Sequence, residues 1–206
     1  MNNTIKYLLI TIIAGVSLYN AIYFKKLDEV KKEASNTTFN AKNYANQFFK
    51  NDVESFKAIN ASDFLNHINA DAQAYAENNG HKLGISSDYN FIVEGNAIVL
   101  EIEEEYIVVE LESDQQRLKI ATDFIFGNAI REGARRANIG DYQNTMDFNN
   151  ISVELNNIVR EQILPPFLQE VKVSDRIYFK GAAKVNTKRH TNENMKVIPM
   201  LLKINN

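Results

Sequence analysis

Apolar residues change their spacing several times along this chain, and each change predicts a different element. Residues 7–24, YLLITIIAGVSLYNAIYF, carry no charge. About 18–20 apolar residues are enough for a helix to cross a bilayer, and Tyr7, Tyr19 and Tyr23 suit the headgroup zone. The charged run KKLDEVKKEASN (25–36) continues as a helix, and Asn36, Thr37 and Thr38 offer caps. Tyr44, Phe48, Phe49, Val53 and Phe56 then form one helix face. After a break, Ser62 is a cap for a second helix with the face Phe64, Leu65, Ile68, Ala72, Tyr75 and Ala76, which ends at Asn79-Gly80.

From residue 90 the period falls from 3.6 to 2. NFIVEGNAIVLEIEEEYIVVELES alternates, with turns expected at Gly95-Asn96 and near Glu104, and LKIATDFIF adds another strand. Residues 90–126 are thus read as three or four antiparallel strands. A short helix over 127–137 follows, then a turn at Asn138–Asp141. A longer helix is capped by Asn149 or Asn150, carries the face Ile151, Leu155, Ile158 and Val159, and is closed or kinked by Pro165-Pro166. RIYFKGAAKV (176–185) and MKVIPMLLKI (195–204) are two final strands, the second an edge or bulged strand because of Pro199.

Strand-strand-strand-helix-strand-strand is the order of a five-stranded Greek-key barrel of the OB type. The expected class is α+β: an N-terminal membrane helix, a helix pair, then an OB-like barrel with a helix between strands 3 and 4. The boundaries are 1–35 for the membrane anchor and juxtamembrane helix, 36–88 for the helical segment and 89–206 for the barrel domain.

Composition narrows the chemistry. The chain has 206 residues, a formal net charge of −3 and no cysteine. Disulfides, thiol catalysis and Cys-ligated metal are removed together. The mild acidity opposes a dedicated nucleic-acid binder. Three readings compete for the N-terminus: a cleaved signal with Gly15-Val16-Ser17 at the cut, a lipoprotein signal, and an uncleaved anchor. Ile13-Ala14-Gly15 resembles a lipoprotein box, but Val16 stands where cysteine must be, so the anchor reading is adopted. The Lys/Arg count, with Lys25, Lys26, Lys31 and Lys32 after the segment, puts the C-terminal side inside.

The stretch IFGNAIREGARRANIGDYQN (125–144) breaks the strand pattern and carries Arg131, Arg135 and Arg136. A phosphate loop would need more glycines than Gly127 and a Lys or Ser/Thr before the helix. Nucleic-acid contact is opposed by the charge balance and by Glu132, four residues before Arg136. The preferred reading is structural: Gly127 turns a strand into a helix, Ala129 packs on the sheet, and Arg131 reaches Asp141 or Asp123. The alternative is a ligand site of Asn128, Arg131 and Asn144 facing a sugar or an anionic glycan. The acidic cluster Glu101, Glu103, Glu104 and Glu105 reads as a solvated hairpin rather than paired catalytic carboxylates. His67, His81 and His190 lack a third metal ligand and a catalytic partner. No catalytic residue, metal or cofactor is assigned.

The chain also resembles an uncharacterised bacterial family of predicted periplasmic lipoproteins encoded near sugar ABC transporters. The residues that carry the resemblance are Gly127, Ala129 and Arg131; Asp141, Tyr142 and Asn144; Ser174, Asp175, Ile177, Phe179, Gly181 and Ala182; and Val197 to Pro199. The lipid-bearing Cys is absent and Ser174 stands where a turn glycine is usual. The resemblance implies an extracytoplasmic domain, against the Lys/Arg count, and no catalytic residue. The expected function is a non-catalytic, single-pass accessory or ligand-binding protein at the inner membrane. Its partners would be ABC transporter components or a carbohydrate, not nucleic acid. An envelope scaffold holding partner proteins near the membrane is the alternative, and a carboxylate hydrolase a distant third.

Overall fold

The computed structural model describes residues 3–21, 39–188 and 195–205. The chain divides into two compact units, Met1–Phe39 and Asn40–Asn206. In the first, α1 spans Asn3–Ala21. Its Ile5, Tyr7, Leu8, Ile10, Ile12, Ile13, Val16 and Tyr19 are exposed. Among the described residues no helix is long and apolar enough to cross a membrane. The helix expected over 7–24 is thus present through Ala21 without meeting the measure of a span. Residues 22–24, the basic run, the caps at 36–38 and His190 lie outside the described residues.

The second unit is built on a closed barrel. Its strands are β1 (Ile59–Asn60), β2 (Asp88–Ile102), β3 (Tyr106–Leu111), β4 (Arg117–Ala121), β5 (Arg176–Asn186) and β6 (Lys196–Asn205). The sheet runs β1-β2-β3-β4-β6-β5, and pairing of β2 with β5 closes it. The β4–β6 contact is parallel, Lys119 to Lys196 and Ile120 to Val197, as is the short β1–β2 contact. Alternation puts Ile107, Val109 and Leu111 inside, each 2% exposed or less, because successive side chains of a strand face opposite ways.

Helices close and flank the barrel. They are α2 (Ala41–Gln47), α3 (Ala61–Asn79), α4 (Ala129–Ala134), α5 (Thr145–Ile158) and α6 (Leu164–Glu170). The helices expected as a separate segment over 36–88 lie, from Asn40 on, in the same unit as the barrel, with α2 on α5 and α3 on β2. Phe64, Leu65 and Ile68 of α3 join the barrel interior. The Phe64 ring meets Phe91 at 5.0 Å, a burial that contributes about 2–3 kcal/mol. Asn60, not Ser62, caps α3 by accepting from the Ser62 and Asp63 amides. The helix breaks at Asp71, which leaves helical geometry (φ −158°, ψ 91°) and recaps the second half through the Ala74 amide at 2.9 Å.

Several local expectations are corrected. Gly95 is not a turn: β2 runs through it, pairing with β5 up to Ile98 and with β3 from Ala97 onward. A Cβ at Gly95 would sit 3.4 Å from both Ala61 Cβ and Phe179 Cε1, so the position faces the packed barrel interior. β4 stops at Ala121, and residues 122–128 form a loop in which Phe124 is left-handed (φ 54°). Asn144 caps α5, earlier than Asn149 or Asn150. Pro165 and Pro166 do not close a helix. They sit in the first turn of α6, and a π-turn over Val159–Ile163 joins the two helices. Pro199 does mark a bulge, since Lys180 pairs with Leu201 but Gly181 with Pro199. A Cβ at Gly181 would overlap the Ile198 carbonyl oxygen, so no larger residue fits beside that bulge.

Candidate functional site

The loop from β4 and the short helix α4 meet α5 at a cleft of about 430 Å³. Gly127 opens it, with φ 83°, a left-handed conformation that glycine adopts without Cβ strain. Asn128 is the N-cap of α4, but its side chain makes no capping bond. Ala129 is 4% exposed, which agrees with its expected close packing.

Arg131 is structural in a way the sequence did not indicate. It does not bond Asp141 or Asp123. Its Nε and Nη2 donate to Glu132 Oε1 at 2.9 and 2.8 Å, and Nη1 donates to the Phe148 carbonyl at 2.7 Å. The guanidinium lies 3.6 Å from the centroid of the Phe148 ring. Arg131 is 3% and Glu132 2% exposed, so Glu132 does not form a surface pair with Arg136. His81 Nδ1 is 3.2 Å from the other Glu132 oxygen, outside hydrogen-bond geometry. Asp123 instead accepts from the Phe124 amide at 2.7 Å, and Asp141 is exposed in a 3₁₀ turn, Ile139–Asp141. Beside it, burial and then the Asp141 charge raise the Tyr142 hydroxyl above its ordinary pKa.

The remaining walls come from one face of α5 and its continuation. Asn149, Ser152, Val153, Asn156 and Arg160 all line the cleft, and their spacing of three and four residues is that of a single helix stripe. Asn156 donates to the Gly127 carbonyl at 2.8 Å, and Arg160 donates to the Ile125 carbonyl and to Asn157. Those bonds hold the loop against α5. Ser152 is 8% exposed, and its hydroxyl has no hydrogen-bond partner among the described residues. Leu83, Phe126 and Val153 line the same cleft and are exposed. Among the described residues no carboxylate lines it.

Two of the three predicted site residues, Asn128 and Arg131, therefore meet at the cleft, and Asn144 does not. Asn144 accepts from the Asp147 amide at 2.8 Å and donates to the Asp147 carboxylate at 2.9 Å, which makes it a helix cap. The amides and hydroxyl missed by sequence reasoning are Asn149, Ser152 and Asn156. The signal was the polar stripe running alongside the apolar face of Ile151, Leu155 and Ile158.

Asp175 builds a turn by accepting from the Lys172 amide at 2.8 Å. Glu101, Glu103, Glu104 and Glu105 are exposed at the β2–β3 hairpin. His67 stacks on Tyr75 with centroids 4.8 Å apart. Among the described residues no cluster of His, Asp or Glu has the grouping of a metal site.

A family model matches residues 12–203 of this architecture. The chain belongs to the predicted periplasmic lipoprotein family (DUF2291). An extracytoplasmic location follows for this DUF2291 member, although it carries no cysteine thiol for a lipid. No curated protein matches the chain. Among solved structures, the crystal structure of an OB-fold protein from Thermotoga maritima is 22% identical, with a TM-score of 0.73, and the match covers 82% of this chain and 100% of that one. At that identity the likeness concerns the fold, and it agrees with the barrel order of this DUF2291 chain.

Proposed function

We propose that this DUF2291 protein is a non-catalytic accessory or ligand-binding protein. It is held at the membrane by residues 7–24, works beside an ABC transport system, and seats a carbohydrate in the α4–α5 cleft. The observation that carries the reading is the cleft itself: 430 Å³, with the unpartnered Ser152 hydroxyl, Asn128 and Asn149 on its walls and Phe126 exposed beside them. Pockets of this size, with an apolar surface and a few convergent polar groups, suit small ligands. The Phe126 ring plus side-chain amides and a hydroxyl match a sugar, which offers apolar C–H faces and hydroxyls together. OB barrels are known hosts of oligosaccharides. The lining without a carboxylate supports binding over acid–base chemistry. The uncharged run 7–24 and the exposed apolar side chains of α1 support membrane attachment. A scaffold role on the helix pair has less support, because no large apolar side chain of α2 or α3 is exposed.

The test is a glycan array probed with the full chain in a neutral detergent, followed by calorimetry on the best ligand. Asn149→Ala and Ser152→Val should each weaken binding by about tenfold or more while melting stays unchanged. Absence of any glycan ligand, or full affinity in both variants, refutes the reading.

A further inference from the structure

A second pocket, of about 650 Å³, opens between the 55–59 segment, the end of α3, the edge of β2 and the end of α4. Its walls include Phe56, Phe91 and Ile92, and its charged lining among the described residues is Lys57, Arg135 and Arg136, with no carboxylate. In a chain of net charge −3, three cations around one concavity reverse the local field, and a low-dielectric wall focuses that field on an incoming anion.

These cations differ from four lysines elsewhere in the same unit. Lys180, Lys184, Lys196 and Lys203 each pair with a carboxylate within 3.6 Å. Lys57, Arg135 and Arg136 pair with none among the described residues. Arg135 donates to the Asn79 carbonyl at 2.7 Å, which fixes its position at the pocket mouth while leaving its charge uncompensated. Arg136 stands 5.3 Å over the Phe56 ring. Its fork is thus seated on a flat support and keeps its N–H donors.

The wall is closely built. A Cβ on Gly133 would lie 3.0 Å from both the Phe91 carbonyl oxygen and Ile92 Cδ1, so glycine is what lets α4 approach β2 there. Asn90 lines the same pocket and is 3% exposed. Its Nδ2 donates to the His81 carbonyl at 3.1 Å, and its Oδ1 has no partner among the described residues. An acceptor left over beside three cationic donors matches a ligand that carries both an anionic group and a hydroxyl.

We propose that this pocket is an anion site for a phosphate monoester bearing a hydroxyl. Lys57 and the guanidinium forks of Arg135 and Arg136 engage the phosphoryl oxygens. Arginine forks recognise such oxygens through parallel charge-assisted bonds. The ester reaches the site as a free small molecule or as a lipid headgroup, since both present the same chemistry. The site is separate from the α4–α5 cleft and does not rest on the carbohydrate reading.

The experiment is calorimetric titration of the full chain in a neutral detergent at low ionic strength, with glycerol 3-phosphate as one probe and short-chain lysophosphatidic acid, which keeps one free hydroxyl, as the other. Binding should weaken as salt is added. Lys57→Gln and Arg136→Gln should each weaken it by about tenfold, and the double variant should abolish it. Lys57 is exposed, so its variant keeps the test valid if Arg136→Gln proves unstable. Tighter binding of the lipid assigns the headgroup as the source, and equal or weaker binding assigns the free ester. Asn149→Ala reports on the other cleft alone, so either reading can fail without the other. Failure of both probes to bind, or wild-type affinity in the double variant, overturns the site.

Discussion

Arg131→Met is the sharpest perturbation of the α4 corner. The wild-type guanidinium makes two bonds to Glu132 and one to the Phe148 carbonyl, and it stacks on the Phe148 ring. Methionine keeps much of the volume but none of the donors. Glu132, 2% exposed, would then hold a buried carboxylate with only His81 Nδ1 nearby, at 3.2 Å. Breaking one side of a buried pair costs about 3–5 kcal/mol. For a chain of this size each kcal/mol moves the melting temperature by roughly 2–4 °C, so the expected fall is about 10 °C. The assay is urea unfolding followed by far-ultraviolet circular dichroism, with calorimetric melting as a second probe. Arg131→Met/Glu132→Met should be more stable than Arg131→Met alone, because removing both charges removes the orphaned carboxylate. An Arg131→Met variant within about 1 kcal/mol of the parent refutes the claim that this pair holds the corner. So does a double variant that simply sums the two single losses.

Other consequences are checked by similar means. Ser174→Gly should raise stability by about 0.5–1 kcal/mol in urea unfolding, because Ser174 has φ 77° and relief of left-handed strain outweighs glycine's extra unfolded-state freedom. Tyr44 has its pKa pushed up from 10.0 to about 12, chiefly by burial. The unfolded chain therefore ionises first, and stability that is intact below pH 10 should fall between pH 10 and 12; Tyr44→Phe should flatten that limb in pH-resolved unfolding. Asn144→Ala removes the α5 cap and should cost about 1 kcal/mol in thermal unfolding. It should leave affinity at the α4–α5 cleft unchanged, since Asn144 does not line it.

The helix faces and strands were legible where the apolar period was long. Phe64, Leu65 and Ile68 were read as one face and are buried together. β5 and β6 were placed within a residue or so of their observed ends. Punctuation was less informative. Gly95-Asn96 has turn composition, yet Ala61, Phe179 and Leu111, far away in sequence, surround the glycine and keep β2 continuous. Pro165-Pro166 reads as a stop or a kink, and a π-turn just before the prolines joins α5 to α6.

The candidate site divides in the same way. The glycine turn at Gly127 and the small residue Ala129 follow from local backbone and packing demands, and both are where the pattern put them. The pattern offered Asp141 or Asp123 as the partner of Arg131. Asp123 is engaged by its neighbour's amide and Asp141 is exposed, so the buried Glu132 takes the charge.

Residue spacing alone determined the longer helices and the main strands, their order and the α+β class, because periodicity is a local property of the chain. Which strands closed the barrel, which acid met Arg131 and which amides of α5 faced the cleft were decided only in three dimensions. Those choices depend on groups distant in sequence competing for the same buried partners, and no local pattern records the outcome.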